Sequence, residues 1–106
     1  MADLLYQAVL EKITGEQFDE EFEFDGFIPE STNVNSRTVS ATKVDGTDAT
    51  SAVVISSSYS GTVVTVTLNT GSTETAYIIK VAVVATDATP SVMVKLLNVT
   101  SPGVYR

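Results

Sequence analysis

Carboxylates are the side chains in this sequence best placed to do chemistry. Asp19, Glu21, Glu23 and Asp25 occupy alternate positions, so on an extended chain they share one face at intervals of about 7 Å. Paired carboxyl groups carry glycoside hydrolysis when geometry holds them on either side of the scissile bond, and a Ser beside a Lys is the other catalytic pairing open to this composition. Spacing like this recurs on any acidic strand, however, and a solvated outer face is the plainer reading. Asp45-Gly46-Thr47-Asp48 sets two more carboxylates across a tight turn. That is the minimum for a weak Ca2+ site, yet the alternating oxygen ligands of an EF-hand loop are missing, which favours a simple turn. With no His and no Cys in the chain, the commonest general base and the thiolate nucleophile are unavailable. Neither a G-x-x-x-x-G-K-S/T nor a G-x-G-x-x-G pattern occurs, so nucleotide binding has no support. Asn98-Val99-Thr100 fits a glycosylation acceptor, but no secretion signal accompanies it. The expectation is a protein that is not an enzyme, with no catalytic residues, metal ligands or cofactor.

Charge placement narrows the partners. Of the formal −7, residues 1 to 30 carry nine acids against Lys12, giving −8, whereas residues 31 to 106 carry four acids and five bases, giving +1. Acidity is therefore local, and the basic face that releases phosphate counterions on nucleic acid is lacking. Met1 to Glu11 has acids where a secretory signal has its basic region, and no apolar run approaches the roughly 20 residues of a membrane span. No nucleic acid and no membrane are expected as partners, and synthesis in the cytoplasm is the simplest inference. The missing cysteines leave the redox compartment open.

The elements that must position these side chains are mostly strands. From residue 31 to residue 100, 38 of 70 residues are Val, Thr or Ser, the composition of half-buried strands with hydroxyl-bearing outer faces. Gln17 to Phe27 alternates Phe22 and Phe24 with Glu21 and Glu23, which predicts a strand that is aromatic on one side and acidic on the other. Apolar runs at Val39–Val44, Val53–Tyr59, Val63–Leu68, Tyr77–Ala85 and Val92–Val99 are separated by Asp-Gly, Ser-Gly, Asn-Thr-Gly and Asp-Ala-Thr-Pro turns. Val64, Val66 and Leu68, then Tyr77, Ile79, Val81, Val83 and Ala85, hold the inward parity. Tyr77–Ala85 is apolar at nearly every position and suits a central strand. About seven short strands so punctuated predict an all-β fold, a β-sandwich over residues 17–100. Ahead of it, Asp3 as N-cap, Leu5, Val9 and Ile13 spaced by four, and Gly15 as a stop predict a short amphipathic helical arm over residues 1–16, docked in cis or in trans. Residues 101–106 form a tail.

The segment Leu68-Asn69-Thr70-Gly71-Ser72-Thr73-Glu74-Thr75-Ala76-Tyr77-Ile78-Ile79-Lys80-Val81 resembles the E–F corner of immunoglobulin-like and fibronectin type III domains. The resemblance implies that Tyr77 is the structural corner residue, with its hydroxyl bonded back to the preceding loop. The disulfide and core Trp of antibody domains are missing, which sets that branch aside. More widely, the acidic aromatic strand Phe18–Phe27, Ser36-Arg37-Thr38-Val39-Ser40-Ala41, the Val-Ser run 53–59, Gly61-Thr62-Val63-Val64-Thr65-Val66-Thr67-Leu68 and Ala76-Tyr77-Ile78-Ile79-Lys80-Val81 are similar to small immunoglobulin-like structural proteins of tailed bacteriophages. Those are head decoration, neck or fibre-to-tail adaptor proteins. The N-terminal helix and the tail Thr100–Arg106 depart from the adaptor pattern.

The resemblance implies a multi-copy virion component, binding capsid, neck or tail proteins and itself oligomeric. The surfaces expected to serve are the apolar stripe Leu4, Leu5, Ala8, Val9 and Ile13, the acidic pair Glu21 and Glu23, and Val104 and Tyr105 in the tail. The alternative is an immunoglobulin-like adhesion or carbohydrate-binding module of a bacterial surface protein, for which Tyr59 and Tyr105 are the candidate stacking aromatics.

Overall fold

The computed structural model describes residues 8–71 and 74–100. Two sheets face each other: a four-stranded sheet in the order β1 (Ala8–Ile13), β7 (Pro90–Thr100), β6 (Thr75–Ala85), β3 (Val34–Lys43), and a three-stranded sheet in the order β2 (Gln17–Glu23), β5 (Val63–Asn69), β4 (Val54–Ser60). A single helical turn, α1 (Thr50–Val53), precedes β4. The seven-stranded β-sandwich expected from the alternation is therefore the fold. Its order is that of an immunoglobulin-type sandwich in which the first strand has joined the sheet of the last. The ladders are antiparallel except β1 with β7, which run parallel from Ala8 opposite Lys95 to Ile13 opposite Thr100.

Alternation fixes which side chains meet between the sheets. Phe22 and Phe24 from the β2 segment and Val64, Val66 and Leu68 from β5 are fully buried against Ile79, Val81, Val83 and Leu97 of the facing sheet, with Val53 of α1 filling one end. The inward parity read from the sequence thus holds on β5 and β6, and β6 is central, between β7 and β3. Gly61 has a φ of +60° within the two-residue loop joining β4 to β5, a backbone setting that side chains with a Cβ disfavour.

The expected N-terminal helix is corrected. Residues 8–13 are a strand, with Ala8, Leu10 and Lys12 turned inward and Val9, Glu11 and Ile13 outward. The reason lies in the spacing itself: side chains four apart stack on one side of a helix, but four is also twice the strand period, so Val9 and Ile13 share a strand face equally well. A helix of about ten residues is marginal alone. Here β7 presents an edge whose backbone groups β1 completes, and Leu10 gains the core. The sandwich accordingly starts at residue 8 rather than 17. Residues 1–7 and the expected tail, 101–106, lie outside the described residues.

Candidate functional site

The acidic strand forms over Gln17–Glu23, shorter than the expected 17–27, so Asp25 falls beyond its end. Asp19, Glu21 and Glu23 line the exposed side of β2 while Phe18, Glu20 and Phe22 point inward. Opposite them on β5 lie Thr67, Thr65 and Val63. The Thr67 hydroxyl donates to Asp19 Oδ1 at 2.6 Å, and Glu23 Oε2 accepts from the Thr62 hydroxyl at 2.5 Å and the Asp25 N–H at 2.8 Å. The Thr62 hydroxyl first, and the Asp25 N–H second, hold the Glu23 carboxyl below its ordinary pKa. Hydrogen bonds to the ionised form also lower Asp45, through the Thr47 N–H, and Asp48 and Asp87, through Thr50 and Thr89. A general acid needs the opposite displacement, a carboxyl kept protonated near neutrality by burial. What the outer face of β2 offers is an open anionic surface.

Both carboxylates of the 45–48 segment are engaged, Asp45 within the turn and Asp48 with Thr50, the first residue of α1. Asp45 Oδ1 accepts the Thr47 N–H at 2.9 Å, and Asp48 Oδ1 accepts the Thr50 hydroxyl at 2.7 Å. Among the described residues, no group of three or more acidic, His or Cys side chains converges on a common point. No helix among them is long and apolar enough to cross a membrane. A shallow depression of about 320 Å³ at one end of the β1–β7 pair is lined by Glu11, Lys12, Ile13, Glu16 and Thr100, with Glu16 Oε1 already accepting the Ile13 N–H at 2.8 Å.

Of the expected interface residues, Glu21 and Glu23 are exposed and Val9 and Ile13 point outward from β1, whereas Ala8 is half-buried on its inward side. Leu4, Leu5, Val104 and Tyr105 lie outside the described residues. The stripe anticipated on one helix face is thus divided between two strand faces. Tyr77 is buried at 7% exposure near the start of β6. The hydrogen bonds that pin that corner come from Thr70, though. Fully buried, its Oγ1 accepts the Glu16 N–H at 2.8 Å and donates to the Ile13 carbonyl at 2.8 Å, tying the β5–β6 loop to the β1–β2 turn.

The strongest electrostatic feature is one that sequence reasoning passed over. Lys95, 9% exposed on the inward face of β7, crosses to the other sheet. Its Nζ donates to Glu20 Oε2 and to the Glu21 carbonyl, both at 2.6 Å, and stands 4.4 Å above the Phe22 ring. The signal was present: Lys95 interrupts the inward parity Met93, Leu97, Val99, and Glu20 interrupts Phe18, Phe22. Tyr59, a candidate stacking aromatic, is 40% exposed, with its hydroxyl on the Asn35 carbonyl at 2.8 Å and Arg37 5.2 Å from its ring.

No protein-family model matches the sequence, and no curated protein is significantly similar to it. Among solved structures, the chain is similar to a 2,6-sialyltransferase of Photobacterium sp. JT-ISH-224, crystallised with CMP and lactose, at 16% identity and a TM-score of 0.50. The likeness covers 96% of this chain but 19% of that one, so the chain spans about a fifth of that enzyme's length. At this identity the likeness concerns the fold alone.

Proposed function

We propose that this chain is a non-enzymatic structural component of a tailed-phage virion, a head decoration or a neck or fibre-attachment protein, that binds other virion proteins. The observation that carries the reading is the pairing of a seven-stranded sandwich with the acidic, solvent-facing strand β2. Glu21 and Glu23 supply an anionic surface for a basic partner. Because exposed charges attract through a screened field, added salt should weaken that association. Charge reversal at both residues should abolish incorporation into particles and leave the isolated domain folded. Mass spectrometry of purified particles and a cryo-EM map of them test the role directly; absence of the chain from particles overturns it.

A second reading is an immunoglobulin-like adhesion or carbohydrate-binding module of a bacterial surface protein. Its support is the exposure of two aromatic rings, Phe27 and Tyr59. Titration with lactose and a glycan panel, followed by chemical shifts of those two rings, separates it from the first.

A further inference from the structure

We infer that the Asp25-Gly26 peptide is a site of spontaneous covalent modification, converting to an isoaspartyl linkage, and that the fold shields the other Asp-Gly pair of the chain, Asp45-Gly46, from the same reaction. An aspartyl side chain followed by glycine closes a succinimide ring on its own backbone, because glycine has no Cβ to hinder approach to its nitrogen. The Gly26 nitrogen bonds to Cγ of the protonated Asp25 carboxyl, whose hydroxyl departs with the amide proton as water. Water then opens the ring at either carbonyl. At the side-chain carbonyl it restores Asp25; at the main-chain carbonyl it routes the backbone through the Asp25 side chain and leaves a free α-carboxylate. The water lost on closure is regained on opening, so no oxidant, reductant or other co-reactant is needed.

Both pairs are exposed, and both glycines have positive φ, +88° at Gly26 and +95° at Gly46, so neither access nor sequence separates them. Hydrogen bonding does. The Gly46 N–H donates to the Lys43 carbonyl at 2.8 Å, and Asp45 Oδ1 accepts the Thr47 N–H at 2.9 Å. The nucleophile is thereby held, and the same Thr47 N–H keeps the Asp45 carboxyl in its ionised form, which has no good leaving group. At the other pair the bonds of the turn bypass the reacting atoms: the Phe27 and Ile28 N–H groups donate to the Phe24 carbonyl at 2.8 and 3.2 Å, and the Asp25 N–H donates to Glu23 Oε2 at 2.8 Å. Among the described residues, no hydrogen bond of good geometry engages the Asp25 carboxyl or the Gly26 N–H. Each hydrogen bond that must open first slows ring closure roughly fivefold, so the two at Asp45-Gly46 set that pair back by on the order of 20-fold. The backbone atom added by isomerisation falls inside the turn closed on the Phe24 carbonyl, between the buried Phe24 and Ile28 and beside the exposed Phe27. The isoaspartyl form should therefore melt below the parent.

This reaction is independent of any role in a virion, and the purified full chain, aged in warm, mildly acidic buffer, tests it. Trypsin cuts after Lys12, Arg37, Lys43 and Lys80, which places Asp25 in the peptide 13–37 and Asp45 in the peptide 44–80. Methyl transfer from S-adenosylmethionine by an isoaspartyl methyltransferase, with fragment-ion sequencing, should find isoaspartate accumulating at Asp25 on the order of 20-fold faster than at Asp45. In urea the two should react at similar rates. Asp25→Glu, which requires a larger and less favourable ring, should abolish the signal in the peptide 13–37, and Asp45→Glu should leave it unchanged. Asp25→Asn should speed closure, releasing ammonia in place of water, whereas Asp45→Asn keeps the Gly46 N–H engaged and should react far more slowly. Equal rates at the two pairs in the folded chain overturn the inference. So does an Asp25 that reacts in urea but not when folded, or a signal in the peptide 13–37 that survives Asp25→Glu.

Discussion

Replacing Lys95 by Met tests whether the cross-sheet ion pair holds the two sheets in register. The thioether keeps an unbranched apolar side chain on the inward face but deletes the ammonium over the Phe22 ring and two charge-assisted hydrogen bonds, to Glu20 Oε2 and the Glu21 carbonyl. What remains is Glu20, whose side chain keeps 22% of its exposure. Breaking a fully buried pair from one side costs about 3–5 kcal/mol, and partial access of water to Glu20 reduces this to about 2–3 kcal/mol. For a domain of this size that lowers the melting temperature by roughly 10 °C. Glu20→Leu strands an ammonium whose side chain is 11% exposed and should cost slightly more. The double variant Lys95→Met/Glu20→Leu exchanges the pair for apolar contact and should return to within about 1 kcal/mol of the parent, a coupling of about 3 kcal/mol or more. Urea unfolding followed by circular dichroism measures all four stabilities, and the differences should persist at high salt because a buried pair is little screened. Single variants within about 0.5 kcal/mol of the parent, or strictly additive losses, refute the reasoning.

Thr70→Val removes the hydroxyl that joins the two turns and leaves the Glu16 N–H without that acceptor, so it should cost about 1–3 kcal/mol in the same assay. Tyr77→Ala empties a core position and should cost roughly 3 kcal/mol or more; a loss under about 1 kcal/mol would contradict the burial of its ring. Deleting residues 1–14 strips β1 from β7 and uncovers an edge, so the truncated chain should melt well below the parent and aggregate, as light scattering during the melt would register. Glu23, Asp45, Asp48 and Asp87 all have folded-state pKa values below their ordinary ones. Their contribution is therefore complete above the ordinary values of 4.5 for Glu and 3.8 for Asp and lost as pH falls through the lowered ones, so acid unfolding curves should be flat near neutrality and fall below that range.

What the sequence made legible was whatever obeys a period of two. Phe22, Phe24, Val64, Val66, Leu68 and the odd positions from 77 to 85 are inward as their parity demands, and Glu21 and Glu23 are outward. Residues 8–13 were misread because their spacing satisfies both periods, and the deciding partner, β7, lies more than eighty residues away in the chain. Lys95 with Glu20 and Thr70 with the β1–β2 turn escaped for the same reason: each is half of a long-range contact. A parity break tells that something polar is buried, but not which residue meets it.

The parallel pairing of β1 with β7 has a mechanical meaning. The described chain enters that pair at Ala8, opposite Lys95, and leaves it at Thr100, opposite Ile13. Tension applied between those two points pulls the neighbouring strands past each other along their length. Every hydrogen bond of the ladder is then strained together, rather than opened one at a time from an end. Anchored by its two ends, this sandwich resists stretching as a lap joint does, with its force threshold set by the six residues of β1.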